Sequence, residues 1–412
     1  MTIDAAIVDY SAGLLLRYFR GGALIDGEVP RLDQRRDVEI LKGHWAVSAP
    51  VRALVSYLLE RPHEAQALLV YRERVDDAVA RGRIDARKTW LYRQQTGLPS
   101  ALVTHEAVRS FNTGPNMLLA WVLREAATYT ARLLSWQGGN SPYLPVLELA
   151  QAQMRHVQRI EALREPLKAV SLGQRPSAGA VRDSARSRRS LYRKAVEAYR
   201  LLQGLERGET EAMDRVARSA LIAPLEDWRR FELAVGLGVG EALARASGGP
   251  LHLHLLGSDS SGPILTAGRF AVYWQQITKY HTPAPLEPSE LATREALKDY
   301  GIAAGTERPD LVVADRDADA VAAVVEVKYI AGDTATARFR EAVDQVVRYG
   351  RSYAPAGATG PLLERSLVAL SRHAPVRVGH AGPAPFCVDF DAITQPHGLD
   401  AWAAAVAAGP HP

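Results

Sequence analysis

Cysteine is almost absent from the 412-residue sequence, where Cys387 stands alone. A single thiol cannot close an intramolecular disulfide and cannot build a cysteine-based zinc site, which suits a reducing cytoplasm. Long apolar runs are missing as well. "MLLAWVL" (117–123) is among the longest, far short of the roughly 20 residues that cross a bilayer, so no membrane role is expected. The start, "MTIDAAIVDYSAGLLLRYFRGG", has an early aspartate and no basic stretch before its apolar residues, and makes a poor signal peptide. There is no G-x-x-x-x-G-K-[ST] loop, so any NTP hydrolysis must come from a partner. "GLGVGEAL" (236–243) is glycine-containing but lies inside a helical pattern and lacks the Lys-Ser/Thr pair, which points to close helix packing. No internal repeat is visible. What is present is ordinary for a globular protein: 47% hydrophobic and 23% charged residues, and enough length for two or three domains. The net charge of +4 and a pI near 9.1 permit a nucleic-acid partner without requiring one.

Three segments differ in pattern. Residues 1–165 read as a mostly helical domain for recognition or partner docking. Val51, Leu54, Val55, Leu58 and Leu59 form one helical stripe. Leu118, Leu119, Val122, Leu123 and Ala126 form a second after the breaker "NTGPN", and Val146, Leu149, Ala150, Met154 and Val157 a third. The extreme N-terminus fits helix or short strands. Residues 166–225 form a basic helical linker in which Arg182, Arg186, Arg188, Arg189, Arg193 and Lys194 are opposed by one acid, Asp183. That run is either a solvated face or a phosphate-contacting element beside a DNA path. From 226 to 412 the pattern becomes α/β. It has a helix over "EDWRRFELAVGLGVGEALARA", strands at "LHLHLLG" and "GRFAVYWQQI", and a helix "SELATREALKDYG" capped by Ser289 and stopped by Gly301. Two further strands, a helix "ATARFREAVDQVVRYGRSYA", and closing strands "RSLVALS" and "FCVDF" complete a mixed sheet flanked by helices.

The two strands within "RPDLVVADRDADAVAAVVEVKY" (308–329) carry the chemistry. Residues i and i+2 of a strand share a face, so Glu326 and Lys328 project together while Val327 turns into the core. If "LVV" pairs with "VVEVKY" through the intervening turn, Asp310 arrives at the same sheet end. Two carboxylates without sulfur or histidine suit Mg²⁺ or Mn²⁺, with the carbonyl of Val327 as a further oxygen, and Lys328 can orient a water or stabilise phosphate charge. One turn of helix separates Gln345 from Tyr349, which puts both on one face. Glu232 sits among apolar neighbours and needs a partner; Glu241 and Glu295 are the alternatives. His252 and His254 share a strand face without a third ligand. Ser258, Ser260 and Ser261 read as a turn, and Trp90, Tyr92, Trp136 and Tyr143 as core or interface.

Asp310 followed by Glu326-Val327-Lys328 resembles the motif of the PD-(D/E)XK nuclease superfamily, and Gln345…Tyr349 resembles the Q-x-x-x-Y signature of its RecB-like branch. Gly82, Ile84 and Asp85, then Leu98-Pro99, Thr113 and Asn116, and Trp228, Phe231 and Glu232 resemble McrC-type restriction nuclease subunits, over about 80–412. Those subunits commonly read D-x-K where Glu326 stands here. The resemblance implies a restriction-endonuclease-like domain with Asp310, Glu326, Val327 and Glu232 at a Mg²⁺ (or Mn²⁺), Lys328, Gln345 and Tyr349 assisting, and Arg186, Arg188, Arg189, Arg193 and Lys194 toward DNA. It implies a cytoplasmic DNA endonuclease of a prokaryotic restriction or anti-phage defence system, working with a separately encoded NTPase or helicase or another defence subunit, and open to homo-oligomerisation. A catalytically inert nuclease-fold scaffold that binds DNA or an AAA+ partner is the alternative, and RNA or tRNA is an alternative substrate.

Overall fold

The computed structural model describes residues 2–20, 34–136, 141, 143–170, 174–254, 262–301, 308–330, 335–354, 359–375 and 383–409. Ser258, Ser260 and Ser261 fall outside them. The chain divides into two compact units, one of residues 42–132 and 145–212, the other of 1–41, 133–144 and 213–412. Among the described residues no helix is long and apolar enough to cross a membrane.

The first unit is helical with one small antiparallel sheet of β1 (Leu68–Asp77), β2 (Arg83–Ile84) and β3 (Ala101–Ser110), in the order β1-β3-β2. The helical reading of 1–165 does not contain this sheet. β1 is exposed along nine of its ten residues, so its apolar and charged side chains do not alternate as a half-buried strand would. The helix of the first predicted stripe, Ala49–Glu60, buries Val51, Leu54, Val55 and Leu58. Tyr192 is fully buried, and its hydroxyl donates to the side-chain oxygen of Asn116 at 2.6 Å.

The second unit holds a seven-stranded mixed sheet: β4 (Leu251–Leu253), β5 (Leu265–Ala267), β6 (Phe270–Trp274), β7 (Leu311–Asp315), β8 (Ala320–Lys328), β9 (Leu367–Leu370) and β10 (Phe386–Asp389). The order is β10-β9-β8-β7-β6-β5-β4. The pairs from β4 to β8 are antiparallel, and β8-β9-β10 are parallel. β7 and β8 join through the Asp-rich turn, in which Asp315 accepts the N–H groups of Asp317 and Ala318. Helices cover both faces. Tyr349 and Tyr353 of the helix Ala335–Tyr353 pack on Val312 and Val324, and Val346 packs on Val368 and Leu370. On the other face lies the helix Asp227–Ser247. A Cβ at Gly240 would stand 2.8 Å from the methyls of Leu265, and one at Gly238 2.9 Å from the hydroxyl of Tyr10. These glycines therefore serve close packing.

The undecided N-terminus is a helix, Ile3–Arg20, tied to this unit by the Tyr10 hydroxyl donating to the Ile393 carbonyl at 3.1 Å. The predicted Ser289 cap is corrected. Helix Pro288–Asp299 starts from Glu287, which forms a reciprocal capping box with Glu290, so Ser289 lies inside the first turn. Gly301 does follow its end with a left-handed φ of 69°.

Candidate active site

The site forms where β6, β7 and β8 end together. Leu311 pairs with Val325 and Val312 with Val324, so one further step of that register sets Asp310 opposite Glu326. On the other side Trp274 pairs with Leu311, and the Gln275 N–H donates to the Asp310 carbonyl at 2.8 Å. Gln275, Asp310 and Glu326 thus stand in a row across three strands. Lys328 lies two residues beyond Glu326 on the same face. The Val327 N–H donates to Asp310 Oδ2 at 2.8 Å, which fixes that carboxylate at the strand end. The Lys328 carbonyl accepts from Ser371 on the β9 side. Backbone direction alternates along a strand, so the Val327 carbonyl faces the opposite edge, where Asp310 sits.

Glu232 comes in from helix Asp227–Ser247. It is only 4% exposed. Trp274 Nε1 donates to its Oε2 at 2.6 Å, and Gln275 Nε2 reaches both carboxylate oxygens at 3.0 and 2.8 Å. Gln275 adopts a left-handed φ of 48° to do so, a conformation uncommon for a residue with a Cβ. Glu241, one alternative, is instead ion-paired with Arg17 and Arg245, and Glu295 is exposed.

The carboxylates of Glu326, Asp310 and Glu341 act on one ammonium, that of Lys328. Glu326 is 2% exposed, and its Oε1 accepts from Lys328 Nζ at 2.8 Å, while its Oε2 has no hydrogen-bond partner. Asp310 lies within side-chain reach of Glu326, a contact that closes only when the pair shares a proton. Burial, then the charge of Asp310, pushes Glu326 up to about 8. Glu232 is raised to about 8 by the same two causes in the same order, and burial raises Asp310 as well. Burial works against the Lys328 charge, but Glu326, Asp310 and Glu341 outweigh it and hold the ammonium protonated above its usual range. Glu341 Oε1 is 3.4 Å from Lys328 Nζ.

On the covering helix, Tyr349 is buried in the core cluster over Val312 and Val324. Its hydroxyl pKa is raised by burial and then by Glu326 and Asp310, so it lies beside the site. Gln345, one turn earlier, keeps a buried Oε1 without a partner. The basic run divides in the first unit. Arg186, Arg188 and Arg189 line one pocket; Arg193 donates to the Ser190 hydroxyl; Lys194 stacks over the Tyr57 ring at 5.6 Å. Tyr143 is core, whereas Trp90 is 61% exposed, and His254 pairs with Thr266.

Trp274, Gln275 and Glu341 are absent from the sequence reading. "YWQQ" at the end of a recognised strand carried the signal for the first two: a tryptophan N–H and an amide placed at the same sheet end as the acids. Glu341 carried none, since its partner comes from a different element.

A divalent cation fits this donor set. Glu326 Oε2 is a buried acceptor without a donor, the clustered acids repel one another, and all the oxygens are hard. No group of three or more His, Cys, Asp or Glu side chains among the described residues is arranged to hold a metal. The candidate set is of another kind, two carboxylates with one backbone carbonyl.

No family model matches the chain, and no curated protein does. Among solved structures it matches a half-complex of Thermococcus gammatolerans McrB AAA+ hexamers with bound McrC, over 93% of this chain and 70% of that one, at 11% identity and a TM-score of 0.23. A likeness of that depth decides neither fold nor activity.

Proposed function

We propose that this chain is a divalent-metal-dependent nuclease that hydrolyses DNA phosphodiester bonds as part of a restriction or defence system. The observation that carries the reading is the pairing of Asp310 with Glu326 at one strand end, with Lys328 against Glu326 and one Glu326 oxygen left unsatisfied. Asp310, Glu326 and the Val327 carbonyl would hold Mg²⁺ or Mn²⁺. Such an ion supplies a polarised phosphoryl oxygen and a water of lowered pKa. In the metal-free chain the carboxylates around Lys328 hold it protonated, which suits a hydrogen-bond donor and positive charge toward the water or the scissile phosphate. Trp274 and Gln275 hold Glu232 near Asp310, where it would add negative charge to the cation site only once deprotonated, above about pH 8. Gln345 and Tyr349 stand on the helix that covers this end of the sheet. Tyr349 is buried over Val312 and Val324, so it would support the site by packing, and Gln345, with its unpartnered Oε1, is the one of the two that could serve a ligand. A separately encoded NTPase remains the proposed partner, since this sequence has no P-loop.

The test is supercoiled plasmid, linear duplex and a structured RNA incubated with the full chain in Mg²⁺, Mn²⁺ or EDTA, with and without the product of any adjacent NTPase gene. Nicking or cleavage of DNA that needs the metal and is lost in Lys328→Ala supports the reading. Cleavage of RNA alone would reassign the substrate. Cleavage of none, together with no Mn²⁺ binding, would leave an inert scaffold.

A further inference from the structure

A second site lies in the first unit, away from these acids. Arg186, Arg188 and Arg189 line a pocket of about 540 Å³ that also includes Leu68, Pro115 and Asp183. It opens where the helix Ser190–Glu206 begins. The N-cap of that helix is Arg189, without a side-chain cap, and its first turn contains no acid. This is the reverse of the usual arrangement, because a helix N-terminus is the positive end of the dipole and favours Asp, Ser, Thr or Asn. Here guanidinium groups crowd that end. Arg189 is anchored through the Glu64 carbonyl, while Arg186 and Arg188 are exposed and have no acidic partner among the described residues. Asp183, the one acid of the lining, is likewise unpaired there and leaves the pocket a formal +2.

From these contacts we infer that the pocket binds the phosphoryl group of a nucleotide unit, carried either by a free nucleotide or by the end of a nucleic-acid strand. Guanidinium forks match phosphate oxygens in pairs. The volume exceeds what a lone phosphate needs. Leu68, 48% exposed, and Pro115 supply an apolar wall for the attached sugar and base. The inference goes beyond the nuclease reading and does not depend on it, because no metal is involved.

The experiment is binding in EDTA to the full chain by fluorescence anisotropy, using a labelled single-stranded 12-mer with or without a 5′-phosphate. Inorganic phosphate and a nucleoside 5′-monophosphate serve as competitors. The pocket pair Arg186→Ala with Arg188→Ala is compared with Arg182→Ala with Arg200→Ala, which removes the same charge from exposed positions outside the lining. Binding is expected to weaken about tenfold or more in the pocket pair and by less than about threefold in the other, both pairs melting like the parent. Competition by the monophosphate identifies a free nucleotide as the ligand. Dependence on the 5′-phosphate without such competition identifies a strand end. Equal losses in the two pairs, or no binding of any probe by the parent, overturns the proposal.

Discussion

Glu326→Gln should abolish metal-dependent cleavage and at the same time make the protein more stable at alkaline pH. The first effect follows from removing half of the carboxylate pair that would hold the cation. Lewis-acid assistance is worth several kcal/mol, and each roughly 1.4 kcal/mol is a factor of ten, so turnover should fall by about 10³-fold or more. The second effect follows from the unsatisfied oxygen. In the parent, Glu326 Oε2 is buried without a donor and faces Asp310. A glutamine presents an N–H₂ there, which can donate to Asp310, and keeps an oxygen for Lys328. Leaving a buried polar group unpaired costs about 1–3 kcal/mol, so the variant should gain roughly that much at pH 8.5 by urea denaturation in EDTA. A variant that loses both activity and stability would mean that Glu326 is a structural residue of the fold. A folded, active variant would remove it from the site altogether.

Metal-free protein should lose stability as the pH rises from about 4.5 to about 8, and metal affinity should climb over the same range. The sign follows from the raised carboxyls. Glu326 and Glu232 are pushed to about 8 in the folded chain from the ordinary glutamate value of 4.5. Between those limits the folded state keeps protons that the unfolded chain has released, so stability falls with rising pH and levels off above about 8. A cation must displace what those acids hold, which makes binding proton-coupled. Each proton released steepens the affinity by about tenfold per pH unit below 8. Calorimetric titration of Mn²⁺ at pH 6, 7 and 8 in buffers of different ionisation enthalpy reads both quantities. A pH-independent affinity with no proton release would contradict the clustered-acid account, and Glu326→Gln should flatten the slope.

Much of the mixed sheet was legible because its strands are short apolar runs with charged ends. "LVV" and "AVAAVV" can pair through an Asp-rich turn, and the side-chain period of two puts Glu326 and Lys328 on one face. β5 was hidden in a segment of three residues, Leu265–Ala267, too short for a pattern. The sheet of the first unit was hidden for the opposite reason: β1 runs an apolar block, Leu68–Tyr71, into a charged one without alternation, and nearly all of it is exposed, so no buried face marked it. The candidate site was legible in its ions and not in its supports. Asp310 and Glu326 announce themselves by motif, but the donors that hold Glu232 depend on how β6 registers against β7. That is tertiary information. The Ser289 cap failed because Glu287 and Glu290, on either side of it, close a capping box at the same helix start.

The most direct measurement is anomalous diffraction from crystals of the full chain soaked in Mn²⁺ at pH 8. The account predicts a single strong peak bounded by the carboxylates of Asp310 and Glu326 and the carbonyl of Val327, lost in crystals of Glu326→Gln. Manganese bound elsewhere, or an empty strand end at saturating concentration, would contradict it.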